Sequence, residues 1–424
     1  MSFIDELKWR GALHQTTGEE ALRAHLATPG RVGYCGFDPT ADSLTVGHLV
    51  PIIMLRRFQQ AGHKPVALIG GATGLIGDPS GKDAERSLQT REIVEANVAG
   101  QRRVLERFID FKAGATLVNN ADWLQKLSFI DVLRTIGKHF SVNAMIQRDS
   151  VRTRLESREQ GISYTEFSYM LLQAYDYLHL HKTMNVTLQM AGSDQFGNIA
   201  SGVDLIRREA QGSSHEAFGL TAPLLLRADG KKFGKSEKGA VWLSADRTSA
   251  YAFYQFWINV DDADVGKYLK LFTFLGEEEI TALLAGHEKE PHKRDAQRTL
   301  AREMTTLVHG AEAVRVAESA SSALFAGDVR AIDASVFEDV LADVPSTQHA
   351  RSELDAGVSL LELLPQTSLV SSKREARQFL ESGAVAVNGD KAALDTRLTT
   401  NDLVHGRAIL LKRGKKNWHL TRWA

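Results

Sequence analysis

The chain has 424 residues, 43% hydrophobic and 24% charged, with a formal net charge of −1, which is enough for two or three packed domains. Its single cysteine, Cys35, excludes a disulfide scaffold and a cysteine-rich zinc site. The opening residues carry Asp5 and Glu6 and no long apolar run, and stretches such as Ile52 to Leu55 are far too short to span a bilayer. A soluble, cytoplasmic protein with no membrane contact is therefore expected.

In chain order, residues 31–37 (Arg-Val-Gly-Tyr-Cys-Gly-Phe) read as a short buried strand, Asp38-Pro39-Thr40 as a turn, and a helix starts near Gly47. Pro65 to Ile69 reads as a second buried strand, stopped by Gly70-Gly71. Helical and strand segments alternate to about residue 220, which argues a parallel α/β sheet. The Leu-rich stretch from Phe129 to Arg154 reads as a helical insertion between the halves of that sheet. Ser163 and Glu166 form a capping box for a helix that continues past Asp176.

From about Ser249 to Leu324 the pattern is helical, without a strand signal. Residues 326–357 carry Asp328, Asp333, Glu338, Asp339 and Asp343 and little periodicity, and read as a weakly packed connector. A helix over Ser371 to Glu381 follows, then strands at Val385 to Val387 and Ala408 to Leu411, with Asn388-Gly389 as a hairpin turn. The expected domains are 1–220 with an insertion around 125–160, 221–325, the connector 326–357, and 358–424. That last segment holds 11 Lys/Arg against 6 Asp/Glu, so a basic domain sits on an acidic body. The excess fits a polyanionic partner, and on charge alone a solvated surface fits equally well.

Two short segments carry the chemistry. One is Ser43-Leu44-Thr45-Val46-Gly47-His48, and the other is Lys231-Lys232-Phe233-Gly234-Lys235-Ser236. Each has a bland reading: a lone His at a helix start is usually a cap, and a lysine-rich turn is usually solvated surface. The second is also one residue short of a phosphate-binding P-loop, and that missing residue breaks the cradle. Gly70 to Gly81 is glycine-rich after a strand but does not fit a dinucleotide fingerprint. Tyr169, Gln173 and Asp176, spaced i, i+4, i+7, share one helix face, which could equally be an exposed polar stripe. His179-x-His181 lacks the further ligands that a metal site needs.

In this order, with Gly47 and Gly234 187 positions apart, the two segments resemble the HIGH and KMSKS signatures of class I aminoacyl-tRNA synthetases. The flanking residues narrow the resemblance to the bacterial tyrosyl enzymes, from about residue 30 to the C-terminus. It implies a Rossmann-like catalytic domain, an all-helical anticodon-side domain and a small α+β RNA-binding domain. It implies ATP as substrate with Mg2+, tyrosine and its tRNA as partners, and a homodimer with Phe129 to Met145 and Tyr164 near the interface. No dedicated protein metal site is expected. Amino-acid activation needs no general base, because an ionised carboxylate is already a nucleophile, so catalysis must come from positioning and charge stabilisation.

By the same resemblance, Tyr34 and Asp176 bind the tyrosine hydroxyl, and Asp78, Tyr169 and Gln173 bind its ammonium group. Gln189 and Gln195 are further pocket positions. Cys35, Gly36, Asp38, Gly47, His48, Gly192 and Asp194 border the adenylate. Thr40, Lys82, Arg86, Lys232 and Lys235 face the departing pyrophosphate. One position departs from the pattern: Thr45 stands where the first histidine of HIGH belongs, and its hydroxyl can donate a bond but cannot carry charge. Lys373, Arg374, Arg377, Lys412, Arg413, Lys415 and Lys416 would contact RNA. The rivals are a tryptophan-specific relative, against which Tyr34 and Asp176 speak, and an RNA-binding scaffold that has lost activation, for which Thr45 is the hint.

Overall fold

The computed structural model describes residues 1–78, 89–148, 151–152, 155, 162–210, 216–230, 233–236, 239–326, 328–342, 344–414 and 417–424. The two segments read as buried strands pair in parallel at the middle of a six-stranded sheet. Its strands are β1 (Gln15–Thr16), β2 (Val32–Phe37), β3 (Lys64–Ile69), β4 (Thr116–Asn119), β5 (Val186–Gly192) and β6 (Phe218–Ala222), in the order β1-β6-β5-β2-β3-β4. All neighbours are parallel except the short edge strand β1. Every residue of β3 after Lys64 is buried, as expected of a strand covered on both faces.

The chain leaves β2 toward β3 on one side and later places β5 on the other. The carboxyl ends of β2 and β5 therefore form a topological switch point, where such sheets open a crevice. The chain divides into two compact units, Met1–Thr248 with Phe256–Val308, and Ser249–Gln255 with His309–Ala424. In the first, Arg57 of the helix Leu49–Gln60 is fully buried and donates to the carbonyls of Leu271 (2.9 Å) and Thr273 (2.7 Å). It thereby closes the C-terminal turn of the helix Asp262–Phe272, whose last carbonyls have no partner within the helix.

In the second unit, five strands lie in the order Asp390–Lys391, Val385–Val387, Ala408–Arg413, Asn417–Trp423, Ser346–His349. The expected hairpin is present: Val387 pairs with Asp390, and Asn388 and Gly389 take φ of 50° and 102°. Ser372 caps the helix Lys373–Glu381.

Two expectations need correction. The stretch 326–357 is no loose connector: Phe337 and Leu341 are wholly buried, and Ser346–His349 pairs in parallel with the last strand. Its acidic residues misled, because Glu338 serves the fold by pairing with Arg407 and Arg422. The Phe129–Arg154 insertion is not one helix. Its described part is broken into Phe129–Asp131, a π turn Val132–Ile136, a 3-10 turn Gly137–His139 and Val142–Ile146. Phe140 stands extended between the last two, so the helical hydrogen-bond ladder stops there.

Candidate active site

The crevice is built on the carboxyl ends of β2, β3 and β5 and on one face of the helix Tyr164–Met184. Ser163 starts this helix by accepting from the Glu166 N–H (3.2 Å). The expected polar face is real, and all three of its residues are engaged. Tyr169 donates to Asp38 Oδ2 (2.9 Å), Gln173 accepts from Asn198 (3.0 Å), and Asp176 accepts from Asn120 (2.9 Å) and from the Trp123 indole (2.7 Å).

These bonds join into two networks. In one, Asn120 also donates to Thr73 (3.0 Å), whose hydroxyl donates to Asp38 Oδ1 (2.8 Å). In the other, Gln195 donates to Asp78 (2.6 Å) and to Asp194 (3.1 Å), and Asn198 donates to Gln195 (3.1 Å). Asp38, Asp78 and Asp176 all act on Tyr169, whose phenol is driven well above its usual range by burial first and by these carboxylates after. Three acids around one phenol make a site for a cationic group.

Tyr34 is 1% exposed, and its hydroxyl has no partner among the described residues. Burial and then the neighbouring Asp176 push its phenol well above the ordinary value. Burial raises the Asp176 carboxyl from 3.8 to about 7, against the lowering effect of Asn120 and Trp123. Gln189 is also buried, with its carbonyl oxygen unpartnered among the described residues. Cys35 is buried with its thiol pushed up to about 12, so it is no nucleophile at neutral pH. Gly36, Thr40, Gly47 and Asp194 are exposed. A β-carbon on Gly192 would come within 2.7 Å of the Asp194 carboxylate, which would have to turn aside.

The two signature segments meet. The Val46 N–H donates to the Val241 carbonyl, the Val241 N–H to the Gly234 carbonyl, and Thr45 bridges to Trp242. Gly234 has φ 93°, and a β-carbon there would lie 3.2 Å from the Gly47 nitrogen. Phe233, next to Gly234 in the second segment and 9% exposed, packs on Phe256, Trp257, Tyr268 and Phe272 and anchors the loop. Lys82, Arg86 and Lys232 lie outside the described residues, and Lys235 is described in its backbone only, paired with Ala240.

Thr45 makes contacts that its sequence position did not suggest. Its N–H donates to His48 Nδ1 (3.1 Å), and its hydroxyl lies 3.0 Å from the same nitrogen. A ring nitrogen accepting from a backbone N–H carries no proton, so the hydroxyl donates to it as well, and the ring proton sits on Nε2.

Sequence reasoning missed Thr73, Asn120, Trp123 and Asn198. The only signal was Asn119-Asn120 at the carboxyl end of β4, and nothing in it pointed to Asp176. The His179 ring stacks on Trp123 at 4.5 Å and 17°. An open cavity of about 810 Å³ lies between residues 56–60 and 106–113, where Gln59 and Arg56 are already bonded to the Asp110 and Phe108 carbonyls.

In the second unit, Arg374 and Arg377 are exposed. Lys373 pairs with Glu362, and Arg413 pairs with Glu375 (3.1 Å) and covers the Phe379 ring. Lys412 sits 4.3 Å over the Trp418 ring, and Lys415 and Lys416 lie outside the described residues.

Residues 30–326 match the model of the class I tRNA synthetases (W and Y), and residues 336–421 match that of the tyrosine–tRNA ligase SYY-like C-terminal domain. The chain is 51% identical to a tyrosine–tRNA ligase of Geobacillus stearothermophilus, with all of both chains covered. It is 49% identical to that of Roseiflexus castenholzii, with 99% of each covered. Among solved structures, the C-terminally truncated mitochondrial tyrosyl-tRNA synthetase of Coccidioides posadasii superposes with a TM-score of 0.66 at 34% identity, over 75% of this chain and 91% of that one. The tryptophanyl-tRNA synthetase of Plasmodium falciparum, at 13% identity and a TM-score of 0.55 over 73% and 84%, shares the fold alone.

Proposed function

The chain belongs to the tyrosine branch of the class I tRNA synthetases, and from that premise we propose how its residues divide the work. The reaction is the ligation of tyrosine to its tRNA at the expense of ATP. The tyrosine carboxylate attacks the α-phosphorus, the bond to pyrophosphate breaks, and tyrosyl-adenylate forms. A ribose hydroxyl at the tRNA 3′ end then attacks the adenylate carbonyl, and AMP leaves.

Tyr34 and Asp176 read the phenolic hydroxyl. The observation that carries this reading is the buried Tyr34 hydroxyl, unpartnered among the described residues, beside the Asp176 carboxylate. An unmade buried hydrogen bond costs about 1–3 kcal/mol, and a tyrosine hydroxyl would make it whereas phenylalanine would not. Asp78, Tyr169 and Gln173, helped by Asp38, take the ammonium group. Gln189 and Gln195 complete the pocket wall.

Cys35, Gly36, Asp38, Gly47 and Gly192 border the adenylate, with Asp194 and His48 on the ribose. Thr40 with Lys82, Arg86, Lys232 and Lys235 stabilises the charge that grows on pyrophosphate. Magnesium enters with ATP, as part of the substrate. Lys373, Arg374, Arg377, Lys412, Arg413, Lys415 and Lys416 meet tRNA phosphates, and Arg374 and Arg377 are the pair best placed for it.

The chain acts as a homodimer. Support comes from exposed apolar residues on the insertion and beside it: Phe129 at 64%, Ile130 at 68%, Val142 at 57% and Tyr164 at 64%. It works in the cytoplasm, in keeping with a tRNA substrate and a free cysteine. Among the described residues no helix is long and apolar enough to cross a membrane.

The test is ATP–pyrophosphate exchange with each amino acid in turn. Exchange with tyrosine alone is expected. Exchange with tryptophan, or with no amino acid, would overturn the reading.

A further inference from the structure

The loop from Asp38 to Asp42 carries Thr40 between two walls. On one side a β-carbon on Gly74 would meet the Pro39 ring at 2.9 Å, so the turn after β3 is wedged against the loop. On the other side lies the helix Arg91–Leu105, begun by Thr90, whose hydroxyl accepts from the Ile93 N–H.

This second wall holds the loop by its carbonyls. Gln101 donates to Asp38 O (3.1 Å) and Ala41 O (3.2 Å), Asn97 to Pro39 O (2.9 Å), and Gln89 to Thr40 O (3.2 Å). Gly100 lets the helix touch the loop, since a β-carbon there would lie 1.9 Å from the Asp42 carbonyl oxygen. Four consecutive carbonyls are thus bonded to side-chain amides, two of which, on Asn97 and Gln101, are buried at 7% and 1% exposure. The carbonyl oxygen of Gln101 itself has no partner among the described residues. An apolar side chain would avoid that cost, which only the two N–H bonds offset.

We propose that Asn97 and Gln101 are positioning residues for adenylate formation: they turn the carbonyl dipoles of residues 38, 39 and 41 away from the triphosphate and present the exposed Thr40 hydroxyl to it. The physical reason is electrostatic. A loop against the β- and γ-phosphates must show donors, and any carbonyl oxygen turned toward them repels the charge that grows as pyrophosphate departs. The proposal rests on the reading that Thr40 faces that leaving group.

The experiment is a double-mutant cycle of Thr40→Ala and Gln101→Leu in the full chain. It reads single-turnover adenylate formation and equilibrium tyrosine affinity. Gln101→Leu should slow adenylate formation about ten-fold with tyrosine affinity unchanged. In the Thr40→Ala background it should slow it only about three-fold further, because the presented hydroxyl is already lost and only repulsion by the freed carbonyls remains.

An equal slowing in both backgrounds, no slowing, or a matching loss of tyrosine affinity would overturn the clamp. If Thr40→Ala alone leaves the rate unchanged, it is the reading of Thr40 that fails. Should Gln101→Leu not fold, Asn97→Ala takes its place in the cycle with the same outcomes.

Discussion

Asp176 shows how one carboxyl can be both well bonded and costly to keep. It accepts from Asn120 and Trp123, yet burial raises it from 3.8 to about 7. The folded chain therefore holds a proton that the unfolded chain releases near pH 4. The stability this contributes is present below that pH and is lost as the pH rises through about 7. The ionised form is also the better acceptor for a phenolic hydroxyl. Two outcomes are expected: tyrosine affinity of the parent rises as pH passes through about 7, and Asp176→Asn lacks that inflection. Fluorescence titration with tyrosine from pH 5.5 to 8.5 checks both, and a flat parent profile would show that the carboxyl titrates elsewhere.

Thr45 belongs to the same scale. Its hydroxyl is engaged with His48, so it supports the orientation and tautomer of that ring. The backbone N–H keeps doing so when the side chain changes. One neutral hydrogen bond is worth about 1 kcal/mol, roughly five-fold in rate. Thr45→Val should therefore slow adenylate formation by about five-fold and leave tyrosine affinity intact. Pre-steady-state measurement decides, and a hundred-fold loss would mean that the hydroxyl meets the phosphates directly.

At the scale of elements, the hairpin in the second unit is the clearest case of local chemistry choosing structure. A two-residue turn between Val387 and Asp390 needs positive φ at both central positions, and Asn388 and Gly389 supply it. Asn388 adds its side chain, donating to Asp402 O (2.7 Å) and accepting from the Leu410 N–H (2.9 Å). Gly389→Ala forces a β-carbon into a conformation that costs about 1 kcal/mol or more. The second unit should melt several degrees lower, with pyrophosphate exchange unchanged at ambient temperature. Calorimetry alongside the exchange assay separates the two effects.

For the whole molecule, the pairing of Ser346–His349 with Asn417–Trp423 changes where the chain can be cut. Ending it at residue 357 would strip a strand of its partner and bare Phe337 and Leu341. Such a protein should aggregate. Ending the chain at residue 326 removes those residues too. That form should keep tyrosine-dependent exchange and lose tRNA charging, while the full chain's charging should weaken steeply with salt. Light scattering, exchange and charging on both truncations check this, and loss of exchange in the shorter one would assign the second unit a part in activation.

What the sequence determined by itself were features made within a few residues of each other. The Ser163 helix cap, the polar face of Tyr169, Gln173 and Asp176, the buried strands beside Gly36 and Gly70, and the Asn388-Gly389 turn depend on bonds between near neighbours, so their spacing reveals them. The paired signature segments also identified the family. The tertiary structure decided which residues lie across from one another. Asn120 and Trp123 reach Asp176 only because β4 lies beside β3, and the clamp on Thr40 forms only because the helix Arg91–Leu105 crosses the end of β2. Ser346–His349 is a strand because Asn417–Trp423, some 70 residues on, offers it an edge. Strand order and helix docking are settled by packing over the whole chain, and no local pattern encodes which distant partner a buried carbonyl or carboxylate will find.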